Sequence, residues 1–204
     1  MKKNEKNEKK EKNEKNEKLR IEYRIITLGD SRVGKTSILK RYINDEFENE
    51  TMSTIGLSVA FKEITLKNKS KITLKLIDTA GQERYKSVTK NYYKNADGVL
   101  LVFAHDDKDS FDHIKSWKSL FEENSDCEQV PIFLIGNKND KPKFSEEDKF
   151  EDFAKEYNIS KYISTSAKDN INIDKVFEEM AELVSSHNPK NSSRQSIKKL
   201  KPNK

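Results

Sequence analysis

Apolar residues between positions 19 and 184 follow two kinds of pattern. Short, nearly continuous apolar runs at residues 22–29, 99–104 and 130–137 are typical of strands buried on both faces of a parallel sheet. Residues 109–124 and 173–184 carry apolar side chains at three- and four-residue spacings, as amphipathic helices do. Residues 57–78 alternate at Ile72, Leu74 and Leu76, which predicts two strands joined by a tight polar turn.

This alternation of strands and helices predicts an α/β fold with a doubly wound sheet. In such sheets the ligand lies beyond the carboxyl ends of the strands. Motifs that directly follow a predicted strand are therefore the candidates for a binding site.

The two ends of the chain differ in composition from its centre. Residues 2–18 contain only lysine, glutamate and asparagine, and residues 185–204 carry six basic residues and no acidic one. We predict a disordered Lys/Asn/Glu-rich tail at residues 1–18, a domain at residues 19–184 and a disordered basic tail at residues 185–204. Because the basic charge belongs to the tails and the domain is net negative, nucleic acid is not an expected partner.

Few features suggest secretion or membrane insertion. No apolar segment precedes residue 19, the longest wholly apolar run (residues 99–104) is too short to span a bilayer, and Cys127 is the single cysteine. These observations predict a soluble, cytoplasmic protein. The three histidines, His105, His113 and His187, lack metal-ligand spacing, and we expect them at the surface or at the edge of the core.

A loop bracketed by two glycines follows the first predicted strand. Residues 29–37 read GDSRVGKTS and match the spacing G-x-x-x-x-G-K-[ST]. In such a loop, backbone N–H groups point inward at anionic oxygens, a lysine adds positive charge and a hydroxyl can bind a metal ion. The sequence predicts a phosphate site built from Ser31, Arg32, Val33, Gly34, Lys35, Thr36 and Ser37.

Three further motifs follow predicted strands. Residues 78–82 (DTAGQ) place Asp78 where a second metal-side carboxylate would stand. Residues 136–140 (GNKND) carry Asp140, whose carboxylate offers only acceptors and can pair with the adjacent N1–H and 2-amino donors of guanine. Adenine presents an acceptor at N1 and would be rejected. Residues 165–168 (TSAK) can close the other side, with the Ala167 N–H on the guanine oxygen.

These motifs resemble those of the small Ras-like GTPases, and within them most closely the Rab family. The resemblance covers about residues 20–184 and rests on TIG (54–56), the run from DTAGQ to ADG (78–98) and GNKND. It implies a P-loop NTPase G domain with a mostly parallel sheet of about six strands and helices on both faces. It also implies a GTP-hydrolysing switch in vesicle traffic that meets an effector, an exchange factor and a GTPase-activating protein.

The resemblance assigns roles to the phosphate and metal residues. Lys35 would bind the β- and γ-phosphates of GTP or GDP. Thr36 and Thr54 would ligate Mg²⁺, and Asp78 would hold a metal-bound water.

The resemblance likewise assigns the catalytic and base-binding residues. Gln82 would orient the attacking water as the candidate catalytic residue, and Gly81 would donate to the γ-phosphate. Two segments, roughly residues 45–56 and 78–93, would respond to the γ-phosphate. The candidate base-side residues are Phe47 near the guanine edge, Lys138 over a base face, Asn137 as a tie between loops, and Ser166 and Lys168 within TSAK.

Departures from the Rab pattern leave alternatives open. Ser58 and Val59 replace the usual acidic residue and aromatic after TIG, and Ile77 replaces the usual tryptophan; the resemblance implies that these positions belong to the effector surface. Arg32 stands where a small residue is common and faces either solvent or a phosphate or partner. A signalling GTPase and a nucleotide-binding scaffold that does not cycle are the alternative functions.

Membrane attachment is the other departure. The segment SIKKLKPNK (196–204) contains no cysteine and Lys2 replaces the glycine of a myristoylation signal, so we expect no lipid attachment on this chain. The basic tail predicts weak or indirect contact with intracellular membranes.

Overall fold

Six strands of the chain form one sheet. The computed structural model describes residues 21–48, 57–79, 93–127 and 129–187. Within these ranges the strands are β1 (Ile21–Leu28), β2 (Leu57–Thr65), β3 (Lys71–Thr79), β4 (Gly98–Ala104), β5 (Ile132–Asn137) and β6 (Lys161–Ser164). Their order across the sheet is β2-β3-β1-β4-β5-β6. Only β2 runs antiparallel to its neighbour, which confirms the predicted mostly parallel sheet of six strands.

Five helices are described alongside the sheet. They are α1 (Lys35–Asn44), α2 (Lys108–Asp112), α3 (Ile114–Asn124), α4 (Glu147–Glu156) and α5 (Ile173–His187). The helix α5 continues three residues past position 184, where the sequence placed the end of the domain. The remainder of both predicted tails lies outside the described residues.

Alternate residues of the central strands point to opposite faces, and each face has its own core. Tyr23 and Ile25 of β1 pack in one core with α1 and α5, where the rings of Tyr42 and Phe177 stack with centroids 3.9 Å apart. Ile26 and Leu28 of β1 pack in the other core with α3 and α4. Helices therefore cover both faces, as the continuous apolar runs predicted.

His105 follows the last residue of β4 and is completely buried. Its ring lies 5.3 Å from that of Phe103 and 5.2 Å from that of Phe150, both in edge-on geometry. Burial lowers the pKa of His105 to about 4, so the side chain is neutral near pH 7. The expected surface or core-edge position is wrong for this histidine. Aromatic side chains that are distant in sequence, such as Phe150, pack around it and bury it.

Every helix in the described ranges is too short or too polar to pass through a lipid bilayer.

Candidate functional site

Four of the predicted motifs meet at one edge of the sheet. The loop at residues 29–34 follows β1, Asp78 lies near the end of β3, residues 138–140 follow β5, and residues 165–168 follow β6. Because β1, β3, β5 and β6 all run in the same direction, their carboxyl ends share this edge.

Glycine is required at both ends of the phosphate loop. Gly29 has a φ of 141° and Gly34 a φ of 98°, a region that side chains rarely adopt. A Cβ on Gly29 would lie 2.0 Å from the carbonyl oxygen of Val102, and one on Gly34 would lie 2.2 Å from Asn137 Nδ2. The bracketing glycines therefore allow the loop to pass close to β4 and β5.

Between these glycines, Arg32 also has a positive φ of 65° and its side chain is exposed. Ser31 lies within the loop. Ser37 is the third residue of α1 and is buried. The loop thus turns directly into the first residues of a helix, where unpaired backbone N–H groups favour an anion.

Lys35 places its ammonium group across the loop. Its Nζ donates to the carbonyl oxygens of Gly29 at 2.9 Å and of Asp30 at 2.7 Å. Burial lowers the pKa of Lys35 to about 8, although the carboxylates of Asp78 and Asp30 act in the opposite direction. The group therefore stays mostly protonated near pH 7 and offers a positive charge beside the helix N-terminus.

Thr36 and Asp78 bring two hard oxygen donors together. Thr36 Oγ1 donates to Asp78 Oδ2 at 2.6 Å, and Thr27 Oγ1 lies 3.5 Å from Asp78 Oδ1. Burial raises the pKa of Asp78, and the hydrogen bond from Thr36 is the largest opposing influence. A hydroxyl next to a carboxylate fits Mg²⁺, which prefers oxygen ligands.

The described residues contain no group of three or more His, Cys, Asp and Glu side chains that could hold a metal ion. Thr36 and Asp78 therefore do not form a metal cage on their own. Mg²⁺ is commonly held by one or two protein oxygens together with phosphate oxygens and water, and this donor pair suits that arrangement.

Asn137 joins the phosphate loop to the loop after β6. Its Nδ2 donates to the Val33 carbonyl at 2.9 Å, and its Oδ1 accepts from Thr165 Oγ1 at 3.3 Å and from the Ala167 N–H at 3.2 Å. The side chain is only 2% exposed. The Ala167 N–H, expected on a guanine oxygen, thus donates to Asn137, and a base would have to share it.

Asp140 is held in one orientation at the base side. Its Oδ1 accepts from Ser166 Oγ at 2.7 Å, and Ser166 Oγ accepts in turn from the Asp169 N–H at 3.0 Å. Lys168 Nζ lies 4.0 Å from Asp140 Oδ2, and the aspartate side chain is 10% exposed. The carboxylate therefore has one oxygen fixed by a hydroxyl and a second near an exposed cation.

Asp106 forms ion pairs with Lys138 and Lys141 that the sequence motifs did not indicate. Lys138 Nζ lies 3.2 Å from its Oδ1 and Lys141 Nζ donates to its Oδ2 at 2.8 Å. Partial burial raises the pKa of Asp106, but the two ammonium groups outweigh it and keep the pKa below its ordinary value. The Lys138–Asp106 ion pair restrains the side chain that the resemblance places over a base face.

Arg41 contacts the loop at residues 165–168, which the sequence motifs also did not indicate. From the last turn of α1, its Nε donates to the Ala167 carbonyl at 2.9 Å and a terminal nitrogen donates to the Lys168 carbonyl at 3.1 Å. Its guanidinium carbon lies 6.0 Å from the centre of the Phe47 ring. The ring expected near the guanine edge therefore packs against Arg41. In the sequence, Arg41 is marked only as a basic residue near the C-terminus of a helix.

Three predicted site residues, Thr54, Gly81 and Gln82, lie outside the described residues. Their roles stay predictions from the resemblance.

The chain is similar in sequence to known proteins. The family model of the Ras family matches residues 24–186. Ras-related protein Rab-1D of Dictyostelium discoideum is 38% identical over 161 residues, which cover 78% of each chain. Ras-related protein Rab-10 of Caenorhabditis elegans is 37% identical over 182 residues, 88% of this chain and 89% of the relative.

A third relative, the Ypt/Rab-type GTPase YPT7 of Saccharomyces cerevisiae, is 38% identical over 164 residues, 78% of this chain and 79% of its own. The resemblance to Rab proteins is confirmed by these matches. Because the family model covers most of the chain and the relatives align over most of both partners, the chain belongs to the Ras family of small GTPases.

Proposed function

We propose that this GTPase is a molecular switch that binds GTP and GDP with Mg²⁺, hydrolyses GTP slowly and regulates vesicle traffic. The observation that carries the proposal is the buried Asn137, which bonds to both the phosphate loop and the loop at residues 165–168. That link sets two separate binding elements at a fixed distance, as a ligand with a base at one end and phosphates at the other requires.

The phosphate end rests on the cation and the loop. Lys35, whose ammonium lies across the loop, would bind the β- and γ-phosphates. Thr36 and Asp78, with Thr54, would hold Mg²⁺, which neutralises charge on phosphate oxygens. The protein's own part is to hold the phosphates between backbone N–H groups and to hold the Asp78 carboxyl group beside the Thr36 hydroxyl.

The rate of GTP hydrolysis tests the proposed function. We predict that the purified parent protein, loaded with GTP, hydrolyses it in a single turnover at a slow rate, on the order of 10⁻⁴ s⁻¹ as for Ras without its activator. Gln82→Leu should slow hydrolysis further and leave GTP binding nearly unchanged, because the side chain would orient the water rather than hold the nucleotide.

Gln195→Leu, in the basic tail, is the matched control and should behave as the parent. Rapid turnover by the isolated parent, or an unchanged rate in Gln82→Leu, contradicts the role given to Gln82. Tight GTP binding with no hydrolysis at all would favour the alternative, a scaffold that does not cycle.

Partner binding is proposed on the outer face of β2. Val59 is 41% and Phe61 is 56% exposed there, and the strand lies between the two segments expected to respond to the γ-phosphate. Exposed apolar side chains of this kind favour a protein partner. We assign this face to the effector, the exchange factor or the GTPase-activating protein of the proposed cycle.

Membrane contact is proposed through the basic tail. Each of its six basic residues contributes at most about 1 kcal/mol near an anionic leaflet, and the attraction weakens as salt screens it. We predict that the protein sediments with anionic liposomes at low salt and is released at high salt, as a mainly cytosolic protein with peripheral contact would be. Neutral liposomes are the control, and retention at high salt without a partner would contradict the prediction.

A further inference from the structure

The side chain of Asp30 connects the phosphate loop to α3. Its Oδ1 accepts from the Trp117 indole N–H at 2.7 Å, and its Oδ2 lies 2.6 Å from His113 Nδ1. The backbone carbonyl of the same residue accepts from Lys35 Nζ at 2.7 Å. A single loop residue therefore contacts α3 through its side chain and the phosphate-binding lysine through its backbone.

The surroundings of His113 are acidic. Besides Asp30 in the phosphate loop, it interacts electrostatically with Asp107, the N-cap of α2, and with Asp109 in the first turn of α2, and it follows Asp112. The hydrogen bond to Asp30 and then its charge raise the pKa of His113 above the ordinary value of 6.5. On the loop side, the ammonium group of Lys35 interacts electrostatically with Asp30.

We propose that Asp30, His113 and Trp117 form a brace that positions the phosphate loop, and that protonation of His113 makes nucleotide retention dependent on pH. This inference rests on the proposed function, because it concerns the same phosphate loop. His113 and Trp117 are positioning residues here, since they act on the loop through Asp30 and not on the nucleotide.

The direction of the pH effect follows from the charge on His113. At pH 6 the imidazolium and the Asp30 carboxylate form a charge-assisted hydrogen bond, which is roughly twice as strong as a neutral one. Above the raised pKa the ring loses its charge and the contact weakens, while the Trp117 bond persists. A less restrained loop spends a smaller fraction of time in its binding conformation, and this lowers the apparent affinity in proportion.

Release of a fluorescent GDP analogue between pH 6 and pH 8.5 tests the brace. We expect the parent to release it about two- to fivefold faster at pH 8.5 than at pH 6, the range for a partly exposed ion pair. His113→Gln should reduce the slope of this profile, and the slope that remains belongs to Lys35, whose pKa of about 8 also lies in this range. Trp117→Phe keeps the aromatic packing but loses the N–H donor, so release should be faster at every pH with the slope retained.

His187→Gln is the matched control, because His187 is exposed at the end of α5 and is remote in the fold from the phosphate loop. Its profile should superimpose on that of the parent. A His113→Gln profile that keeps the parent's slope overturns the proposal.

Trp117 also provides a direct reading, because it is the only tryptophan of the chain. Its fluorescence in the parent should titrate with a midpoint above 6.5, and Asp30→Asn should lower that midpoint toward 6.5, while the asparagine oxygen still accepts the indole N–H. Unchanged Trp117 emission in a protein that binds GDP overturns this inference alone. A titrating Trp117 in a protein that binds no guanine nucleotide overturns the proposed function instead.

Discussion

Asp140→Asn is expected to weaken GDP binding by about ten- to a hundredfold or more and to strengthen binding of xanthine nucleotides. The substitution replaces one acceptor oxygen with an N–H₂ donor that would face the 2-amino donor of guanine. A buried donor that is left without an acceptor costs about 1–3 kcal/mol or more of binding free energy. Xanthine carries an oxygen at that position, so it can accept from the asparagine.

The structure sharpens this expectation. Ser166 Oγ donates to Asp140 Oδ1, and an asparagine oxygen can still accept that bond, so the new N–H₂ group would take the other position. Competition binding with GDP, XDP and ADP measures the change. Asp169→Asn, an exposed carboxylate in the neighbouring turn, is the control and should leave base selection unaltered. Full GDP affinity in the Asp140 variant, or a parent that binds ATP as tightly as GTP, would show that guanine was wrongly assigned.

Asn137→Ala is expected to damage both stability and nucleotide retention. The truncation removes three hydrogen bonds at once and leaves the Val33 carbonyl and the Ala167 N–H in a buried place without their partner. At about 1 kcal/mol for each bond, the loss is about 3 kcal/mol. For a domain of this size that corresponds to a fall of roughly 6–12 °C in the melting temperature.

Thermal unfolding of the GDP-loaded protein and the rate of GDP release measure the two effects. GDP release should accelerate by about a hundredfold, because both loops lose a common anchor. Asn139→Ala is the matched control, since the Asn139 backbone N–H still donates to the Thr165 carbonyl after truncation. If Asn137→Ala unfolds and releases GDP as the parent does, the loops are held together by other contacts.

Much of the fold followed from local patterns. Runs such as residues 99–104 are buried on both faces, and their continuous apolar character reflects that burial directly. The loops at residues 29–37 and 136–140 were also accessible, because their chemistry is concentrated in a few consecutive positions. Patterns of this kind depend on neighbours in sequence, which a single chain displays.

Contacts between residues distant in sequence could not be predicted in the same way. Arg41 donates to carbonyls 126 and 127 positions away, and Asp30 meets Trp117 across 87 positions. No motif or spacing marks Arg41 or Trp117 as a contact of the loop at residues 165–168 or of the phosphate loop, since an arginine in a last helical turn and a tryptophan on an apolar helix face have ordinary local explanations. His105 likewise looked unremarkable in sequence, because only the folded sheet brings Phe150 and Tyr162 against it.

The guanidinium of Arg41 has a consequence for how a two-ended ligand would be held. It fastens the carbonyls of Ala167 and Lys168 to the helix that begins at the phosphate loop, so neither end of the proposed nucleotide site moves independently. Once one end of a ligand is bound, the other end meets its own site at a high effective concentration. A nucleotide would therefore gain from a chelate effect that diphosphate alone or guanosine alone does not have.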